Sequence, residues 1–346
     1  MMHDLPQLLE RHGAAVDALL AQEIPPDQQD YLSEGVWYQF SSGGKRIRPA
    51  LCLMTCETLG GDPERALLFA LATEVLHNFF LVHDDIEDGD TMRRDQPTLW
   101  TRVGVPNGIN VGDYLIAKGY ALILKSDLPP EQVLHLTRIF TTTFERTVEG
   151  QALDINLRGS PDVGLDDYYR IVQLKTAYYL AVTWVGGAAI AGVSGSQDSD
   201  SGSNGATAGV EESLWELGRC LGPAFQIRDD LLDLTVGKGR GGETGCDLKE
   251  GKPSILYAYV LDREQGSASD RRRLQEVMAK ERDATSEEEV RWAIDFFRQT
   301  GALDFAESEA AALVRKADDL IESLPFSAEG RNLFRAISRY IVERKT

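Results

Sequence analysis

The segment "LATEVLHNFFLVHDD", residues 71–85, puts Ala72, Val75, Leu76, Phe79 and Phe80 at the i, i+3, i+4, i+7 and i+8 positions of one helical face. A stripe of that width must be covered by other apolar elements. The same period recurs through residues 111–125, 131–158, 166–193, 211–234 and 287–323. Few stretches show the alternation of period two, or the β-branched and turn-bounded composition, of a strand. The pattern predicts an all-α chain. With 346 residues, 42% of them hydrophobic, its helices can bury a large core. Pro49 suits the first turn of a helix, and "LGGDPERA" and "SDLPPEQ" read as short interhelical loops. "SGSQDSDSGSNGATAG", residues 194–209, is Gly/Ser-rich low complexity and reads as a surface excursion. Strong helical patterns flank it on both sides, so the expectation is a single domain over residues 1–346.

The formal charge of −19, from 36 basic and 55 acidic residues, argues against nucleic acid and anionic membrane surfaces as partners. It leaves room for an anionic small molecule wherever local bases or metal ions supply the attraction. Cys52, Cys56, Cys220 and Cys246 form no CxxC pair and read as buried or free thiols of a reducing compartment. The N-terminal "MMHDLPQLLERHG" is polar and acidic, unlike a targeting peptide. The apolar run Leu180–Val193 is too short to span a bilayer and carries two adjacent glycines, which favours a core helix. The expectation is a soluble cytoplasmic protein without stable membrane insertion.

Against that background the stretch "HNFFLVHDDIEDGDTMRRD" is unusual, because an apolar run leads directly into five acids. Asp84 and Asp88 stand one helical turn apart, about 6 Å along the axis, and the stripe extends back through Leu81 to His77. Glu87 and Asp90 read as solvated neighbours. "FQIRDDLLD" repeats the device 145 positions later (229 minus 84), with Gln226, Asp229 and Asp233 at i, i+3 and i+7. One DDxxD is more often a solvated acidic face than a site. Two of them, each following apolar residues, suit shared divalent cations held by hard oxygen ligands. Bases accompany the acids: Lys45, Arg46 and Arg48 in "GGKRIRP", Arg93 and Arg94 in "TMRRD", Lys175 in "LKTAYY", and Lys249 and Lys252 in "DLKEGKPS". Acids that hold metal beside bases that hold phosphate describe a diphosphate site.

"GGKRIRP", "HNFFLVHDDIEDGDTMRRDQPTLW", "GQALD", "LKTA" and "FQIRDDLLD…GCDLKEGKPS", in this order, resemble the trans-isoprenyl diphosphate synthases, or polyprenyl synthetases, over roughly residues 41–260. The resemblance implies an all-α helical bundle of the isoprenoid synthase type around a deep central cavity, working as a homodimer. It implies Mg2+, three ions per active site, with Asp84, Asp88 and Asp229 as ligands and Asp85 and Asp233 beside them. Lys45, Arg48, His77 and Arg94 match the positions that bind isopentenyl diphosphate. Arg93, Lys175, Thr176, Gln226 and Lys252 match those that bind the allylic partner, whether dimethylallyl, geranyl or farnesyl diphosphate.

Chemistry supports these roles. Ionisation of the allylic diphosphate needs charge on the leaving group to be neutralised, and the resulting cation needs a dry cavity lined by oxygen or π electrons. Thr176, Gln226, Tyr178 and Phe80 suit that lining, and no side-chain nucleophile is required. Phe79 and Phe80, five and four residues before Asp84, would floor the cavity about one turn behind the metals. The resemblance implies a short product where both positions are aromatic, and the expectation is farnesyl diphosphate, with geranylgeranyl diphosphate next. One departure stands out: Glu243 occupies the position where the family carries a lysine for the allylic diphosphate, with Lys238 and Arg240 nearby in the same loop. Rival readings are a class I terpene cyclase, which would carry an Asn/Ser/Glu metal motif in place of "DDLLD", and an HD-type phosphohydrolase. The latter needs distant ligand histidines that are hard to find among five. A catalytically weak prenyl-diphosphate-binding subunit would be expected to lack an aspartate motif.

Overall fold

The computed structural model describes residues 5–26, 30–44, 46–192, 209–235 and 244–342, the side chain of Ile341 excepted. Lys45, the 238–243 stretch with Glu243, and all of the 194–209 segment except Gly209 lie outside the described residues. The expected all-α class holds: a two-stranded hairpin, Met92–Arg93 with Gln96–Pro97, is the sheet among the described residues. The chain groups into two compact units. Residues 1–144, 180–217 and 320–337 form one; residues 145–179, 218–319 and 338–346 form the other.

In the first unit, helix Pro63–Glu87 is the central element. Asp62 caps it by accepting from the Glu64 backbone N–H at 3.0 Å, and Pro63 supplies the φ that the first turn wants. This helix is long and apolar enough to cross a membrane by length and composition. Its apolar residues are instead buried in the packing of the unit, with Phe69, Ala70, Leu71, Ala72, Val75 and Leu76 all at most 2% exposed. Helix Tyr178–Ile190 contributes the glycine pair of the apolar run. A Cβ on Gly186 would lie 1.9 Å from Phe69 Cε1, and one on Gly187 would lie 2.4 Å from the Cys52 carbonyl oxygen. Those glycines let helix backbones approach to distances no side chain permits. The four cysteines are free and buried, as read from their spacing.

The second unit gathers a core around Tyr168, Tyr257, Leu274, Phe297 and Ala306, each no more than 1% exposed. Two long sequence patterns are interrupted here. Residues 166–193 are not one helix: helix Leu165–Val172 passes through a π-helical turn, Gln173–Ala177, before helix Tyr178–Ile190 begins. Residues 287–323 divide into helices Glu287–Gln299 and Ala302–Ser323 at Gly301, whose φ of +75° is left-handed. A glycine just beyond a helix end is an ordinary stop signal that the apolar period overrides when read alone.

Candidate active site

The first acidic motif sits at the C-terminal end of helix Pro63–Glu87, where the helix dipole favours a nearby cation. Asp88 closes the helix, its backbone N–H bonding to the Asp84 carbonyl at 2.8 Å. Asp84 and Asp88 are partly exposed and Glu87 is exposed, whereas Asp85 is buried at 1%. Asp85 accepts from Arg93 Nε at 2.6 Å. Burial drives the Asp85 carboxyl up to about 6, against the opposing pull of Arg93.

Asp90 departs from its expected role as a solvated neighbour. It is 1% exposed, and its carbonyl accepts from Thr98 Oγ1 at 2.7 Å and Trp100 Nε1 at 2.8 Å. These bonds fold the chain back on itself. The resulting hairpin turns on Arg94 and Asp95 at φ of 52° and 60°. Two left-handed residues in a two-residue turn are usually Asn-Gly or Gly-Gly. An arginine held there, at about 1–2 kcal/mol per non-glycine residue, is a strained placement of the kind found at functional sites.

Arginines surround His77. Arg48 Nη1 lies 3.5 Å from His77 Nε2. Burial, then the charges of Arg48, Arg94, Arg93 and Arg46, push the imidazole well below its ordinary value, so His77 is neutral at pH 7. The two glycines of "GGKRIRP" serve this cluster: Arg94 Nη1 donates to the Gly43 carbonyl, and Gly44 adopts a φ of +153° that favours glycine. A Cβ on Gly44 would meet Arg46 Nη1 at 3.0 Å and Arg94 Nη1 at 3.2 Å. Arg46 itself is committed to structure, bonding Asp17 at 2.7 Å and buried Glu74 at 3.2 Å.

Behind the acids, Phe79 and Phe80 are 5% and 7% exposed, with ring centroids 5.0 Å apart. Phe144 joins them at 5.4 Å and 6.0 Å. Sequence reasoning did not single out Phe144, because its helix comes to these rings through tertiary packing.

In the second unit the repeated motif is used differently. Asp230, 4% exposed, accepts from Gln226 Nε2 at 2.9 Å and from the Ile255 backbone N–H at 3.0 Å. Asp233, 1% exposed, accepts from the Asp247 N–H at 3.0 Å, and its carbonyl accepts from Gly245 at 2.8 Å. Asp229 alone of the three is partly exposed. Lys175 and Thr176 lie in the π-helical turn, and Lys175 Nζ donates to Asp154 at 2.7 Å. Lys252 Nζ lies 2.6 Å from Glu250, which Arg282 also approaches at 3.2 Å. Lys249 is directed to Glu287 at 2.7 Å.

Among the described residues no three of His, Cys, Asp or Glu form a ready-made metal cage. The donor set still fits Mg2+, which is held by one or two carboxylates and completed by substrate phosphates and water. Asp84 and Asp88 in the first unit and Asp229 in the second present hard oxygen donors with some exposure.

Comparison with known proteins identifies the family and the fold. The polyprenyl synthetase family profile matches residues 29–297. A short chain isoprenyl diphosphate synthase of Methanothermobacter thermautotrophicus is 31% identical, covering 99% of this chain and 100% of its own length. A geranylgeranyl pyrophosphate synthase of Geoglobus acetivorans is 31% identical over 98% of this chain and 99% of its own. The crystal structure of geranylgeranyl pyrophosphate synthetase from Pyrococcus horikoshii superposes with a TM-score of 0.85 at 29% identity, covering 99% of this chain and 98% of the other. The all-α fold is thus that of the prenyl synthases, and with the profile spanning all five motifs the chain belongs to the polyprenyl synthetase family as a trans-prenyltransferase, an isoprenyl diphosphate synthase.

Proposed function

We propose that the chain is a magnesium-dependent short-chain synthase that joins isopentenyl diphosphate to an allylic diphosphate and releases farnesyl diphosphate. The observation that carries this reading is the end of helix Pro63–Glu87. There a partly exposed carboxylate pair, Asp84 and Asp88, flanks the buried Asp85 that Arg93 holds at 2.6 Å, with two buried aromatic rings about one turn behind. Asp84, Asp88 and Asp229 would hold Mg2+, which when bound supplies the positive charge a departing diphosphate needs.

The chain's own groups do the rest. Arg93, Lys175 and Lys252 hold the allylic diphosphate, while Lys45, Arg48, Arg94 and neutral His77 hold isopentenyl diphosphate. Thr176, Gln226 and Tyr178 offer oxygen and π electrons to the allylic cation. The double bond of isopentenyl diphosphate attacks that cation, and the proton then lost goes to the released diphosphate. Phe79 and Phe80 exclude water and stop the growing tail. In this reading the whole chain acts as one catalytic domain of a cytoplasmic homodimer.

A second product is favoured by the relatives, two of which are named for geranylgeranyl diphosphate. One assay separates the readings: purified protein, Mg2+, isopentenyl diphosphate and each allylic diphosphate in turn, with the dephosphorylated alcohols identified. Farnesol as the main alcohol is expected. Geranylgeraniol selects the second product, and absence of elongation with every primer overturns the reading.

A further inference from the structure

The motif "GQALD" has no role so far, yet it lies in helix Pro130–Asn156 and meets Lys175 at two points. A Cβ on Gly150 would lie 2.3 Å from the Lys175 backbone nitrogen and 2.8 Å from its Cα, so only glycine lets this helix run against the π-helical turn. Asp154 follows one helical turn later on the same face. Its carboxylate, 6% exposed, accepts from Lys175 Nζ at 2.7 Å. The same face carries Thr147 and Gln151, 4% and 8% exposed, where an ordinary core helix would be apolar. The Thr147 hydroxyl is buried without a hydrogen-bond partner, so polarity on this face is not explained by the packing alone.

A lysine ammonium has three donors on a flexible four-carbon stem, and unlike arginine it carries no built-in direction. We infer that Asp154 is a positioning residue: Gly150 sets the backbone of Lys175, and Asp154 fixes its ammonium so that the remaining donors meet the allylic diphosphate. The ammonium keeps its proton throughout, and the carboxylate never touches substrate. Asp154 therefore acts on affinity for the allylic partner and leaves isopentenyl diphosphate and the magnesium requirement alone. This inference rests on the reading of Lys175 as an allylic-diphosphate ligand.

The test is a double-mutant cycle on binding, free of turnover. Calorimetry measures geranyl diphosphate binding in Mg2+ without isopentenyl diphosphate, for wild type, Asp154→Asn, Lys175→Ala and the double variant. Asp154→Asn is expected to weaken binding about tenfold or more, since one partner of a close charge pair is lost. In the Lys175→Ala background the same change should alter binding less than about twofold. Asp154→Glu, which keeps the charge and moves it by one methylene, should recover most of the affinity in the Lys175 protein and change nothing in its absence. If Asp154→Asn does not fold, Asp154→Ser carries the test: a loss of geranyl diphosphate affinity that vanishes with Lys175→Ala supports the inference, and a loss that persists there overturns it. Additive effects, an unchanged Asp154→Asn, or a raised Mg2+ requirement overturn it. Wild type that binds geranyl diphosphate but never elongates it sinks the synthase reading and leaves this cycle intact.

Discussion

The two DDxxD motifs share their letters and little else. In the first, the middle aspartate is taken up by an arginine and the outer pair is left partly open to solvent. In the second, Asp230 and Asp233 both disappear into the packing, where they receive the backbone N–H groups of Ile255 and Asp247, and only Asp229 stays accessible. The first motif leaves two carboxylates partly open at one helix end; the second leaves one partly open and fastens the 245–255 segment. Spacing makes a motif possible, but what covers each carboxylate decides its use.

The largest effect that could break this contrast is a crossover of activity and stability. Asp84→Ala, Asp88→Ala or Asp229→Ala should lower kcat/KM by about a thousandfold, as removal of charge-stabilising groups does, with the melting temperature nearly unchanged. Asp233→Ala should instead strand the buried Asp247 N–H, at about 1–3 kcal/mol, and lower the melting temperature by several degrees. Calorimetric melting and steady-state rates on the same samples check it. If Asp233→Ala melts normally and loses Mg2+-dependent turnover, the second motif works like the first.

Next in size is the division inside the first motif. Asp85→Asn should weaken the allylic substrate by about ten- to a hundredfold by releasing Arg93, while the Mg2+ concentration for half-activation stays put. A rise in that concentration would make Asp85 a ligand.

Aromatic residues precede both motifs, which permits a sharper comparison. Phe79→Ala with Phe80→Ala should shift the product toward longer prenyl alcohols, read by chromatography, whereas Phe225→Ala should leave product length unchanged. A longer product from Phe225→Ala would show that both helices gauge the chain.

The smallest effect lies away from both motifs. His135 Nε2 meets Glu211 at 3.0 Å, and that bond raises its pKa above the ordinary value. The raised value makes its contribution present below about pH 6.5 and lost as pH climbs through the folded value. His135→Gln should remove a loss of stability of at most a degree or two between pH 6 and 8, seen by thermal melts, because the pair is only partly shielded from solvent.

Much of the first motif was legible because helical period alone decides which acids share a face, and Asp84 with Asp88 needed nothing more. The burial of Asp90 was not, since it depends on Thr98 and Trp100 returning across a turn whose first left-handed residue, Arg94, gives no turn signal. The π-helical turn was hidden for a related reason. It depends on close approaches at Gly150 and Gly222, where a Cβ on Gly222 would lie 2.7 Å from the Ala177 Cα, and apolar period says nothing about backbone spacing. The break at Gly301, by contrast, was readable: "QTGAL" carries a stop signal that the period count passed over. Asp230 and Asp233 are the instructive case, because their partners are main-chain amides, and every residue but proline offers one.

The hairpin turn at Arg94 has a consequence for laboratory evolution. Glycine at Arg94 would relax the left-handed backbone and raise resistance to heat. The same exchange would remove a guanidinium from the cluster around His77. A library screened for thermal survival alone should therefore drift toward glycine at that position and fill with well-folded, inactive variants, while a screen that demands turnover should hold the arginine in place.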